Sequence, residues 1–267
     1  MMNGVFIRKQ EGFKLFFAYL ITRGIEVMNL LTYILKFNVL FAFILGASVA
    51  SFLHVIAKSM PIKQNWWSRR SSCPYCQTML TPLQLLPIFS FLIQKGHCKS
   101  CHAPISTLYP LAEITGGLLF ASSLIFLPSL NLYLFQTWLF FSLLLIVTLT
   151  DLYYQLIPNK ILIAFGMPLF LIGPNIATAI TGFLFFYGVA LIGKILFKKD
   201  TLGGGDIKLY FAIGLVLSMR ALFLAITISS ATALLYVLIF SKNRHAPLPF
   251  APFIALGSII AHFLSMF

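Results

Sequence analysis

Acids are scarce in this chain, and two of them occupy matching places. Beyond residue 30 the only acids are Glu113, Asp151, Asp200 and Asp206. Asp151 closes an apolar run that begins at Phe135. Asp206 follows the glycine-rich break Thr201-Leu202-Gly203-Gly204-Gly205, just before the chain turns apolar again. An ionisable group at the end of a membrane-length segment is costly and is read as functional by default. Two carboxylates held close cannot both ionise easily, so they share a proton. The ionised one can draw a proton from water while the protonated one donates to a carbonyl oxygen or a leaving amine. That is peptide hydrolysis without a metal or a covalent intermediate.

The residues around the acids are read as support. Gly203 and Gly205 permit unusual backbone angles and the close approach of another segment. The run lacks the Gly-Lys-Ser/Thr of a phosphate-binding P-loop. Lys208 either holds negative charge near the site or snorkels to the headgroups, and snorkelling is favoured. Glu113 lies in the first turns of an apolar segment and needs a partner or a proton there. No serine, cysteine or histidine constellation competes, because His54, His97, His102, His245 and His262 are dispersed. His54 is expected at the water boundary of a helix end, and Asp200, beside Lys198 and Lys199, as an ordinary loop charge.

A second chemistry sits in one loop. All four cysteines occur as Cys73-Pro-Tyr-Cys76 and Cys98-Lys-Ser-Cys101, with 21 residues between the pairs. Two such pairs make a tetrahedral four-sulfur zinc site with no position left for catalysis. Disulfides are disfavoured in a reducing cytosol, and Arg70, Lys95 and Lys99 help stabilise thiolates. The role expected of the zinc is to fold a loop with little core of its own.

These groups must be positioned by membrane helices. The chain is 60% apolar and 9% charged with a mean hydropathy of +0.95, which marks an all-α polytopic membrane protein. The net charge of +13 sits in short loops, where it sets topology rather than binding nucleic acid. Spans are expected at 37–57, 108–127, 133–150, 159–173, 176–197, 207–219, 221–240 and 250–266, about eight in all. Residues 58–107 form the cytoplasmic cysteine loop, and 108–267 the seven-helix core. No repeat is evident. Past residue 36 the alternating scheme puts 13 Lys and Arg on one side and one, Arg220, on the other. The basic side is cytoplasmic, and both Asp151 and Asp206 fall on it. Residues 1–36 are an extension of uncertain role, with Met28 an alternative start, because five cations there would lie on the wrong side.

With these motifs in order, the chain resembles the type IV prepilin peptidases, membrane aspartic peptidases of the glycine-x-glycine-aspartate kind. The resemblance covers about residues 40–262. It rests on Ser51-Phe52-Leu53, Arg70-Ser71-x-Cys73-Pro74-x-Cys76 and the second cysteine pair. It continues through Ile105-Ser106 with Tyr109-Pro110-Leu111-x-Glu113, Asp151 with Ile157-Pro158-Asn159, Gly203-x-Gly205-Asp206-x-Lys208, and Pro249-Phe250-x-Pro252-Phe253. The resemblance implies that Asp151 and Asp206 are the catalytic pair. It also implies that the enzyme cuts a short basic leader from prepilins or pseudopilins at the cytoplasmic face of the cell membrane. Many relatives also methylate the new N-terminus with S-adenosylmethionine. Here Ala50 replaces a glycine, His54 an asparagine, and Ser59 and Leu108 arginines. These departures bear on methylation more than on cleavage. Ala251 replaces a glycine in the last motif, a milder change. Two other classes stand against this reading: a proton- or cation-coupled transporter using Asp151 and Asp206, and a zinc-dependent membrane adaptor.

Overall fold

The computed structural model describes residues 37–62, 70–127, 131–198, 203–240 and 248–266. The expectations for residues 1–36, Asp200 and His245 fall outside them. Residues 1–41 form a unit of their own, of which only the start of the first helix is described.

Long apolar runs become helices because lipid offers the backbone no hydrogen bonds. Among the described residues five helices are long and apolar enough to span: α1 (Phe37–Ser59), α3 (Leu108–Phe126), α4 (Leu132–Tyr154), α6 (Ile176–Phe197) and α8 (Met219–Phe240). Three shorter helices interleave with them: α5 (Asn159–Ile172), α7 (Gly204–Gly214) and α9 (Ala251–Leu264). At about 1.5 Å per residue these reach about 16–21 Å, short of a hydrocarbon core of about 30 Å. Each of the eight expected spans holds a helix among the described residues, five of spanning length and three shorter. The loop between α1 and α3 holds a 3-10 turn, Pro82–Leu85, and the five-residue α2 (Phe89–Ile93). Among the described residues β pairing is limited to two isolated bridges in this loop.

Helices approach closely where side chains are smallest. A Cβ on Gly46 of α1 would lie 2.4 Å from the Gly116 carbonyl of α3. One on Gly214 would lie 2.5 Å from the Ala179 Cα of α6. The turn after α7 differs from the expected span at 207–219. Helix α7 ends at Gly214, and the turn falls at 215–218 rather than at Arg220, which is helical. The Asn175 N–H donates to the Leu215 carbonyl there, at 3.0 Å.

Candidate active site and cysteine cluster

Asp151 lies inside the last turn of α4, not just past its end. The helix is capped at its start by Asn131, whose side chain accepts the Leu134 N–H at 2.8 Å. It continues to Tyr154 and stops at Gln155, which turns left-handed (φ 50°) and donates its N–H to the Asp151 carbonyl at 2.8 Å. The Asp151 side chain is buried and points at the start of α9. Its Oδ2 accepts the Ala251 N–H at 2.8 Å, and the Phe250 backbone also donates to it. The first N–H groups of a helix have no partner within it and are ready donors to an anion. The sequence marked Pro249-Phe250-x-Pro252-Phe253 but gave it no chemical role. The structure brings this segment to the acid.

Asp206 lies in the first turn of α7, with its N–H on the Gly203 carbonyl at 3.1 Å. Its side chain is half-buried and within electrostatic reach of Asp151. The expected left-handed freedom of the glycines is not used. Gly203 has φ −66° and ψ 132°, and Gly204 and Gly205 are already helical. What matters is the missing side chain at Gly205, where a Cβ would sit 2.9 Å from the Ile157 Cβ. Gly204 faces open space. Lys208 has a protein partner, contrary to the favoured snorkelling reading: its Nζ donates to Asn159 Oδ1 at 3.0 Å. The starts of α5 and α7 are thereby joined.

Behind the acids, side chains from α1, α3 and α4 interlock. His54 is fully buried rather than at a water boundary. Its Nε2 lies 2.8 Å from the Tyr153 hydroxyl, and its ring stacks on Tyr109 at 3.9 Å between centroids. The Tyr154 hydroxyl donates to the Lys58 carbonyl at 2.6 Å. A histidine can be removed from water here because aromatic rings from two other helices, Tyr109 of α3 and Tyr153 of α4, cover it. Nothing in a single helix's pattern reveals that cover. Glu113 is buried too, and it holds the cysteine loop. Its Oε2 accepts the Ile88 N–H at 2.7 Å, and the Ser51 side chain of α1 hydrogen-bonds the same carboxylate.

The cysteine loop contains a structural repeat with a period of 25 residues, which the sequence reading missed. The Cys73 N–H donates to the Thr78 carbonyl and the Gln77 N–H to the Cys73 carbonyl. The same two bonds join Cys98 with Ala103 and His102 with Cys98. Leu80 to Ser71 and Ile105 to Gly96 match as well. Gln77 and His102 both turn left-handed, with φ 58° and 55°. Outside the cysteines the two copies, Ser-Cys-Pro-Tyr-Cys-Gln-Thr-Met and His-Cys-Lys-Ser-Cys-His-Ala-Pro, share no residue, so only the backbone shows the repeat.

The two knuckles bring four thiols together. The sulfurs all lie within 4.8 Å of one another, with Cys73–Cys101 at 3.8 Å and Cys76–Cys98 at 3.9 Å. A tetrahedron of 2.3 Å zinc–sulfur bonds has edges of about 3.8 Å, so the donor set fits a metal. The local charges agree. Contacts with the hydroxyl and backbone of Thr78 hold the Cys76 thiol down to about 6. Backbone N–H groups of Cys101 and Ser100 lower Cys98. The Ala103 N–H favours a thiolate at Cys101 as well, but burial and the neighbouring sulfurs push it up to about 12. Four thiolates this close need a cation between them.

Similar proteins match most of the chain. Residues 44–127 match the Bacterial Peptidase A24 N-terminal domain, and residues 138–238 match the Type IV leader peptidase family. A prepilin leader peptidase/N-methyltransferase of Bacillus subtilis is 42% identical over 234 residues, covering 82% of this chain and 92% of the relative. Proteins of the same description from Aeromonas hydrophila and Pectobacterium carotovorum are 30% and 28% identical. The matches cover 85% and 84% of this chain, and 90% and 92% of those relatives. No solved structure matches the chain. These matches lend no support to the transporter alternative.

Proposed function

This chain belongs to the type IV leader peptidase family, and on that premise we propose that Asp151 and Asp206 are its catalytic pair. The chain is a prepilin peptidase that removes the leader from type IV prepilins, or from pseudopilins, at the cytoplasmic face of the cell membrane. The observation that carries the assignment is the meeting of helix ends. The last turn of α4 brings Asp151, which accepts the first N–H of α9. The first turn of α7 brings Asp206, and Lys208 ties that turn to the start of α5. Helices α7 and α9 thus begin at the acids, with the positive ends of their dipoles toward them.

The two acids divide the work. Asp151 carries backbone N–H donors that stabilise a carboxylate, and Asp206 has no side-chain hydrogen bond among the described residues. We assign the base to Asp151 and the shared proton to Asp206. Asp151 takes a proton from water as the water oxygen bonds to the scissile carbonyl carbon, while Asp206 protonates the carbonyl oxygen. The C–N bond then breaks: the amine leaves with the proton held on Asp151, and one hydroxyl of the gem-diol returns its proton to Asp206. The leader departs as an acid and the apolar helix as a free amine. The leader is basic, which suits a face where 13 cations set orientation but the two acids sit together.

Asp151→Asn and Asp206→Asn test the pair. Each should abolish cleavage of co-expressed prepilin while leaving the enzyme in the membrane. Full processing by either variant would sink the mechanism.

We assign zinc to the cysteine cluster as a structural ion held by Cys73, Cys76, Cys98 and Cys101. When bound it neutralises the thiolates and joins the two knuckles. N-methylation is the second activity named for the relatives, and its donor would be S-adenosylmethionine. The departures at Ala50, His54, Ser59 and Leu108 gather on α1 and the start of α3. Mass spectrometry of the processed N-terminus decides whether that activity is retained, independently of the acid pair.

A further inference from the structure

The loop between α1 and α3 is charged only toward its ends. From Ser71 to Gln94 it carries no Asp, Glu, Lys or Arg. Its middle is Pro82-Leu-Gln-Leu-Leu-Pro-Ile-Phe-Ser-Phe-Leu-Ile93, folded as a 3-10 turn and the short α2. The large apolar side chains here turn outward: Leu83 is 75% exposed, Phe89 64%, Leu92 64% and Ile93 67%. Those values match the outer residues of α6, such as Ile195 at 75% and Leu196 at 69%. A soluble loop rarely leaves so contiguous an apolar surface uncovered.

A bond to α3 fixes the depth of this segment. Pro87 to Phe89 make a three-residue turn, with Ile88 at φ 65° and ψ −54° and the Phe89 N–H on the Pro87 carbonyl at 2.6 Å. A β-branched residue in that region is strained and needs support from its surroundings. The support is Glu113, which accepts the Ile88 N–H. Glu113 is the sixth residue of α3, about 7–8 Å along the helix from its first residue. Helix α3, at 19 residues, is about 28 Å long and just crosses a hydrocarbon core of about 30 Å. The turn at Ile88 therefore docks below the water boundary, not above it.

We propose that residues 82–93 are a membrane anchor lying in the cytoplasmic leaflet, with Leu83, Phe89, Leu92 and Ile93 against lipid acyl chains. Its flanks suit that place. Arg70 and Lys95 bracket the uncharged stretch and Lys99 follows, so anionic headgroups find cations on both sides. The anchor lies between the two knuckles in sequence, and it holds the cysteine cluster at the membrane surface. The proposal does not depend on the identity of the catalytic acids, and its test does not read activity.

The test uses full-length protein in proteoliposomes of phosphatidylcholine and phosphatidylglycerol, with Phe89→Trp and Leu92→Trp made singly. Leu111→Trp, on an exposed position of α3, is the lipid-facing control, and the unsubstituted protein supplies the background from its native tryptophans. Lipids brominated near the top of the acyl chains should quench both introduced tryptophans as strongly as the control. Aqueous iodide should quench neither, consistent with a depth of about 5–10 Å. Iodide quenching with no loss to brominated lipid would overturn the anchor. Protection from iodide that appears only when prepilin is added would assign the surface to substrate instead. Protection that disappears when the protein is diluted in lipid would assign it to a second copy of the chain. Either of these two outcomes also refutes the proposal.

Discussion

Replacing Gly205 with alanine isolates what the glycine run contributes. The added Cβ would sit 2.9 Å from the Ile157 Cβ, where carbon atoms rest at about 3.5–4.0 Å. The deficit is about 0.6–1.1 Å, and neither atom is the end of a flexible side chain. The first turn of α7 must move away from Ile157, and Asp206 is its next residue. A misplacement of about 1 Å at reacting groups costs about 100-fold in rate, or about 2.7 kcal/mol of barrier. We expect Gly205→Ala to lower kcat for prepilin cleavage by about that factor, with KM little changed, in a purified assay read by gel shift of the substrate. Gly204→Ala adds its Cβ to open space and should cleave at the parent rate. Ile157→Ala keeps the offending Cβ and should not rescue Gly205→Ala, whereas Ile157→Gly should restore part of the rate. Parent activity in Gly205→Ala, or equal damage from Gly204→Ala, would refute the steric account.

Three further outcomes follow from other contacts. Cys73→Ser with Cys98→Ser removes one sulfur from each knuckle and should take the zinc-to-protein ratio of the purified enzyme from one to near zero. An unchanged ratio would place the metal elsewhere. Lys208→Ala and Asn159→Ala each break the same bond and should each slow cleavage by about two- to tenfold, from about 0.5–1.5 kcal/mol. The double variant should be no worse than either single one, and additive losses would show that the bond is not the cause. Gly214→Ala forces a Cβ into the Ala179 backbone and should destabilise the protein by about 1–3 kcal/mol. Thermal unfolding in detergent should show this as a lowered Tm beside Gly166→Ala, whose added Cβ meets nothing. Equal Tm values for the two would refute the tight crossing.

The sequence revealed its chemistry better than its geometry. Asp151 and Asp206 stand out in the sequence because acids are rare in it, and the structure brings the two within electrostatic reach. The cysteine quartet is legible because its spacing is local. Helix ends at these sites were missed by a turn, because apolar periodicity fades where the polar residues of a site begin. Asp151 reads as a terminus but is helical, since its carboxylate is satisfied by Ala251, far away in the chain. His54 reads as a boundary residue because the rings that bury it come from α3 and α4. Glu113 calls for a partner without naming it: that partner is a backbone N–H at Ile88, and backbone groups leave no mark in a side-chain pattern. The run 82–93 was grouped with a polar loop because cations and cysteines on either side dominate its average.

The bond between Asp151 and Ala251 also sets an order in time. Synthesis delivers Asp151 a hundred residues before the N–H that receives its carboxylate. Until α9 has been made, the acid has only solvent or Asp206 to face. A ribosome that stops short of Ala251 leaves a chain with both acids and the cysteine loop, yet without the donor that fixes one of them. The order of synthesis thus leaves the Asp151 carboxylate without this donor until α9 is made.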